Sequence, residues 1–134
     1  MAGFVETMQN NFFIKNIKGV IPMSENCIFC KIIKGDIPSN KVYEDDKMIA
    51  IHDVAPAAPV HVLLLPKEHT ANVTTADPAL VAYMLGKVKE IAEKTGVADK
   101  GFRVVMNTGE DGGQTVNHLH IHVIGGKALG WPPC

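Results

Sequence analysis

Apolar residues in this chain follow two periods, and the switch between them marks out the elements. From Asp77 onward Leu80, Val81, Met84, Leu85, Val88, Ile91 and Ala92 recur at helical spacing, with Lys87, Lys89, Glu90, Glu93 and Lys94 on the other side. Asp77 is a capping type, Pro78 suits the first helical position and Thr95-Gly96 closes the run, so the spacing predicts one long helix. Gly86 in its interior costs about 1 kcal/mol against alanine. Close approach of another backbone, such as a second subunit's, would explain it, and so would simple tolerance. A short helix is predicted over 26–35: Ile28 and Ile32 stand four apart, as do Phe29 and Ile33, Ser24 or Asn26 can cap it, and Gly35 can stop it.

The remaining pattern is that of strands. Residues 41–45 and 48–53 read as two strands around an Asp45-Asp46-Lys47 turn, followed by an irregular, proline-rich connection over 54–59. Val60–Leu65 is apolar throughout except for His61, which predicts a strand buried on both faces and ended by Pro66. Phe102–Asn107 is a fourth strand, residues 108–115 a turn-rich loop, and His118–Val123 a fifth strand running to Gly125-Gly126. The reading is an α+β fold, a five-stranded antiparallel sheet with one long and one short helix. Residues 1–22 read as an N-terminal appendage to a domain over 23–134, with Met23 an alternative start.

Composition narrows the function. At 134 residues the chain is one domain, able to bury roughly two thirds of its unfolded surface without disulfides. Thirteen basic residues face 14 acidic ones, so nothing resembles the footprint of a nucleic-acid polymer binder, and any nucleotide partner is expected to be small and held in a pocket. No apolar run approaches a membrane span. Three cysteines, an odd number, exclude a full disulfide framework and predict a cytoplasmic protein with reduced thiols.

The chemistry concentrates in His118-Leu119-His120-Ile121-His122-Val123. On a strand, period two places all three imidazoles on one face, roughly 6–7 Å apart along the axis, and turns the apolar residues the other way. Three groups that titrate near neutral pH on one wall point to binding or reaction. An amphipathic strand with a histidine polar face and a metal-binding strand are the competing readings. Gly109, Gly112 and Gly113 precede this strand, and their backbone can approach an anion closely, although glycines alone also make ordinary hairpins.

Gly112-Gly113-Gln114-Thr115-Val116-Asn117 followed by the three alternating histidines resembles the signature of the histidine-triad (HIT) family. Ile37-Pro38, Tyr43-Glu44-Asp45, His52-Asp53-Val54, Pro66-Lys67-Glu68-His69 and Trp131-Pro132-Pro133 extend the resemblance from about Cys27 to Pro133. The tail and Gly125-Gly126 favour the Hint branch, whose members hydrolyse nucleoside phosphoramidates, over the branch that splits dinucleoside polyphosphates. The resemblance implies that His120 attacks the α-phosphorus of a purine nucleoside 5'-monophosphate derivative and forms a nucleotidyl-histidine, with a hydrogen-bond acceptor on its other nitrogen. It implies that His122 holds a phosphate oxygen, that His61 assists and that Thr115, where Ser is common, serves the leaving group. It implies that Asp53 binds the ribose hydroxyls, that Asn107, Gly113 and Gln114 contact ribose and phosphate, and that Ile28, Phe29, Ile32, Ile51, His52 and Val54 form the base slot. Several of these apolar residues suit a plain core equally well.

Some members of the family bind zinc through residues matching Cys27, Cys30, His69 and His118, so a structural zinc is expected here, with no cofactor for catalysis. The resemblance also implies a homodimer joined through the long helix and a sheet edge. A dinucleoside polyphosphate hydrolase and a non-catalytic metal- or nucleotide-binding module are the alternatives.

Overall fold

The structure, a computed structural model, describes residues 26–134. The proposed appendage, the alternative start at Met23 and the Ser24 cap lie outside the described residues. In chain order the elements are α1 (Ile28–Lys34), β1 (Lys41–Glu44), β2 (Met48–His52), β3 (Val60–Pro66), α2 (Pro78–Leu85), α3 (Val88–Thr95), β4 (Phe102–Val105) and β5 (Ile121–Gly125). The five strands form one antiparallel sheet in the order β1-β2-β3-β5-β4, the α+β architecture expected.

β3 lies at the centre, and its alternation divides the core. Val62 and Leu64 face one side, where Met48, Ala50, Leu119, Ile121 and Val123 meet Val81, Met84, Val88 and Ile91 of α2 and α3. Leu63 and Leu65 face the other, with Ile49, Ile51 and the α1 residues Phe29 and Cys30. The continuous apolar run is thus a strand with both faces covered, each fully buried leucine stabilising the fold by roughly 1.5–3 kcal/mol.

Two local expectations are corrected and a third, the long helix, is refined. The cap of α1 is Cys27, not Asn26: its sulfur accepts the Cys30 N–H at 3.4 Å. Gly35 ends the helix in the left-handed conformation, φ 90°. The predicted long helix runs as two eight-residue stretches joined at Gly86 and Lys87, both still right-handed. The Lys87 N–H reaches the Met84 carbonyl at 3.0 Å, a tightened turn. A Cβ on Gly86 would meet the carbonyls of Tyr83 and Ala82 at 3.3 and 3.4 Å, so what crowds this glycine among the described residues is its own preceding turn.

The second correction concerns the histidine strand. β5 begins at Ile121, so only His122 lies within it, and His118, in a bend, and His120 precede it. The ladder with β3 stops at Leu64–Ile121. Beyond it Pro66 has no N–H to give, its carbonyl accepts from the His118 ring, and the Leu119 N–H turns to Thr70 O at 2.7 Å. No helix among the described residues is long and apolar enough to cross a membrane.

Candidate active site

The α1 face of the sheet carries the histidines. Leu63 on β3 lies opposite His122, and His61 is the diagonal neighbour on the same face. Their rings meet at 5.1 Å between centroids, His120 and His122 at 4.9 Å, and His120 and the edge of Phe29 at 5.0 Å. Leu119, Ile121 and Val123 point the other way, into the α2–α3 core. The three imidazoles therefore share one side although two of them precede the strand.

Hydrogen bonds assign the tautomers. His120 Nδ1 lies 2.7 Å from the carbonyl oxygen of His118, which can only accept, so Nδ1 carries the proton and Nε2 is a bare lone pair. Burial pushes the pKa of His120 down, partly opposed by that same bond. The Ala57 N–H donates to His61 Nδ1 at 3.0 Å, which leaves His61 protonated at Nε2. That Nε2–H faces His122 Nδ1 at 2.9 Å, with the Asp53 carboxylate 3.5 Å away. His122 Nδ1 accordingly accepts, and its Nε2–H is left to donate outward. Desolvation, then the adjacent His120 and His61, lower the pKa of His122 to about 4.

These tautomers bear on metal binding. Asp53, His61 and His122 bring a carboxylate and two imidazoles within 4.8 Å of one another. Ligation through His61 Nε2 would require the proton to move to Nδ1, where the Ala57 N–H already points. The hydrogen-bonded pair, not a metal pair, is the arrangement these atoms favour.

The second cluster is built differently. Cys27 and Cys30 from α1, His69 after β3 and His118 place their ligand atoms within 4.8 Å of one another. His118 Nδ1 lies 3.4 Å from Cys27 Sγ, 3.6 Å from Cys30 Sγ and 3.1 Å from His69 Nδ1, and His69 Nδ1 lies 3.3 Å from Cys30 Sγ. The edges of a zinc tetrahedron with two sulfur and two nitrogen ligands are about 3.3–3.8 Å, so the four residues fit such an ion. His118 Nε2 donates to Pro66 O at 2.9 Å, leaving Nδ1 unprotonated and turned into the cluster. The Cys30 thiol, foremost, and the two histidines hold Cys27 well below the usual thiol range despite its burial.

The other candidate residues are distributed around these clusters. Asp53 follows β2 directly, and its Oδ1 accepts the Ala55 N–H at 2.9 Å. In the glycine loop, Gly109 and Gly113 adopt positive φ, and Asn107 Nδ2 donates to Gly112 O at 2.7 Å. The Gln114 amide is fully engaged: it accepts from Gly109 N and Asn72 Nδ2 and donates to Ala71 O and Val116 O. Thr115 is exposed. Of the residues expected around the base, Phe29 and Ile51 are buried and Ile32 half-buried, whereas Ile28, His52 and Val54 are exposed, Val54 to 98%. A cavity of about 510 Å³ lined by residues 96–97, 100–101 and 126–128 touches none of them.

Sequence reasoning missed the Ala57 N–H and the carbonyls of His118, Pro66 and Thr70. Backbone groups have no residue signature, and only the requirement that each neutral imidazole place one proton hinted that such partners exist.

A shared fold and this paired histidine and cysteine–histidine arrangement define a class, and the comparisons agree on it. Residues 34–129 match the HIT domain family. An uncharacterised HIT-like protein of Synechococcus elongatus is 53% identical over 95 residues, 69% of this chain and 82% of that protein. The crystal structure of a histidine triad protein from Clostridium difficile is 43% identical with a TM-score of 0.79, covering 81% of this chain and 97% of the other. A HIT family hydrolase from Clostridium thermocellum is 48% identical with a TM-score of 0.78, covering 81% and 96%. The chain belongs to the HIT family, among proteins that are hydrolase-like at this level of description.

Proposed function

We propose that this protein hydrolyses purine nucleoside phosphoramidates or related nucleoside 5'-monophosphate derivatives through a nucleotidyl-histidine intermediate. The observation that carries the reading is the bond from His120 Nδ1 to the His118 carbonyl, which leaves Nε2 unprotonated and its ring fixed. A neutral, oriented imidazole is what in-line attack on phosphorus needs.

His120 Nε2 attacks the α-phosphorus, the phosphorus–nitrogen bond to the leaving amine breaks, and the amine takes up a proton from solvent by way of the exposed Thr115 hydroxyl. His122 donates its Nε2–H to a non-bridging oxygen as charge develops. Water then attacks the same phosphorus and gives up a proton to solvent, the bond to His120 breaks to restore the neutral imidazole, and the nucleoside monophosphate leaves. Asp53, at the end of β2 beside His61, offers acceptors for the ribose diol. Asn107, Gly113 and Gln114 frame the phosphate side, while Ile28, Ile32, His52 and Val54 provide exposed or half-buried surface for the base in front of Phe29 and Ile51.

The four-residue cluster supports a structural zinc, one per chain, held by Cys27, Cys30, His69 and His118 and leaving His120 and His122 outside its ligand set. A homodimer is supported by β4, an edge strand with Phe102 and Val104 partly exposed, and by Leu85 exposed on α2. None of the three cysteines is in a disulfide, which fits a reducing cytoplasm.

His120→Asn is the direct test. Turnover of an adenosine phosphoramidate should fall at least ~1000-fold with adenosine monophosphate binding kept; turnover near the wild-type rate would refute the mechanism. Running a dinucleoside polyphosphate beside the phosphoramidate separates the two hydrolase readings, and a single-turnover assay separates both from a binding module.

A further inference from the structure

The cysteine–histidine cluster and the histidine read as nucleophile are joined through a single peptide unit, the one linking residues 118 and 119. Its carbonyl accepts the His120 Nδ1–H at 2.7 Å, and its N–H donates to Thr70 O, also at 2.7 Å. Both of its anchors adjoin the cluster. Thr70 follows His69, and His118 is itself a cluster residue, fully buried and tied to Pro66 O through its other nitrogen. Turning the peptide plane would break the bond to Thr70 and remove the acceptor that fixes His120.

α1 supplies a second connection. Phe29 lies between Cys27 and Cys30 in the sequence, is 8% exposed, and presents its ring at 82° to His118 and 77° to His120, with centroids 5.9 and 5.0 Å away. It stands as a wedge between cluster and nucleophile, held where it is by the two cysteines that flank it.

We propose that the cluster is a positioning device for His120: when its four ligands are drawn together, the 118–119 peptide and the Phe29 ring admit one tautomer and one ring orientation of that histidine, and when they are released both are lost. Phe29 and His118 are positioning residues here. The inference rests on the reading of His120 as nucleophile only for its effect on rate; its structural content is read separately.

The test is long-range nitrogen–proton NMR of the histidine-labelled, full-length protein loaded with zinc, compared with the same protein after chelation and with zinc-loaded Phe29→Ala and Phe29→Tyr. The loaded wild type should show His120 as a single Nδ1–H tautomer with a slowly exchanging proton. Chelation and Phe29→Ala should each give mixed tautomers and fast exchange with turnover number down about tenfold, KM staying within about twofold after chelation, while Phe29→Tyr keeps the ring and restores the single tautomer. A single protected tautomer in both the zinc-free and Phe29→Ala proteins overturns the proposal, as does failure of the wild type to bind zinc. If the zinc-free protein unfolds, zinc-loaded Phe29→Ala decides by itself. A loaded wild type with the fixed tautomer but no phosphoramidate turnover would overturn the proposed activity and leave the positioning role standing.

Discussion

Protonating His122 would set two N–H groups face to face across the 2.9 Å that separates it from His61. Desolvation foremost, then the adjacent His120 and this His61, lower its pKa to about 4, which makes the ring a neutral hydrogen-bond donor through the physiological range. The sign of the consequence follows. A depressed histidine pKa keeps the neutral form down to more acidic pH than an ordinary imidazole near 6.5. Burial lowers the pKa of the attacking His120 as well, so we expect the acid limb of kcat/KM to have its midpoint below 6.5; a midpoint at or above 6.5 would contradict this tautomer chain. The histidines were identifiable from their alternation. Their protonation states were not, because each is decided by a backbone group that is distant in sequence or carries no side-chain signature: Ala57 N–H for His61 and, through it, His122, and the His118 carbonyl for His120.

Among the elements, the glycine loop has the least tolerance. A Cβ on Gly112 would lie 2.3 Å from the Thr108 carbonyl oxygen, a backbone atom that cannot swing aside. Gly112→Ala should therefore cost about 1–3 kcal/mol, read as a lower urea midpoint, and should weaken nucleoside monophosphate binding by distorting residues 108–113. Gln114 was legible as part of a family motif, yet its use as a brace to residues 71 and 72 depended on which loop the fold brings alongside. The β1–β2 turn is fastened in a similar way. Asp45 accepts the hydroxyls of Tyr43 and Tyr83 and the N–H groups of Lys47 and Met48. Burial opposes its ionisation, but these bonds prevail and hold its carboxyl well below the ordinary range. A depressed carboxylate pKa stabilises the fold above the unfolded value near 3.9 and loses that contribution as pH falls through and below it. Asp45→Asn should accordingly be less stable than wild type by about 1–3 kcal/mol at pH 7, with the gap closing below pH 4 in denaturant titrations.

For the whole molecule, the cluster ties α1 to the segments on either side of the central strands, joining residues 27–30 to 69 and to 118. A filled site of this kind adds its binding free energy to folding. Chelation should lower Tm by several degrees, Cys30→Ser should reproduce the loss, and elemental analysis should give one zinc per wild-type chain; an unchanged Tm on chelation would remove zinc from this account. The exposed edge of β4 makes the other claim at this scale. Sedimentation should report a dimer, and Val104→Lys, placing a charge on that edge, should shift it toward monomer.

The sequence by itself determined the strand order along the chain, the two-sided burial of Val60–Leu65, the paired cysteines and the alternating histidines, because each is a local periodicity or spacing that the backbone geometry of a strand or helix translates directly. Only the tertiary structure decided where β5 begins, that the helix tightens at Gly86, that Gln114 turns inward, and which nitrogen of each histidine carries its proton. Those outcomes depend on contacts between residues tens of positions apart, and most of them turn on backbone N–H and C=O groups that every residue possesses and no residue pattern can announce.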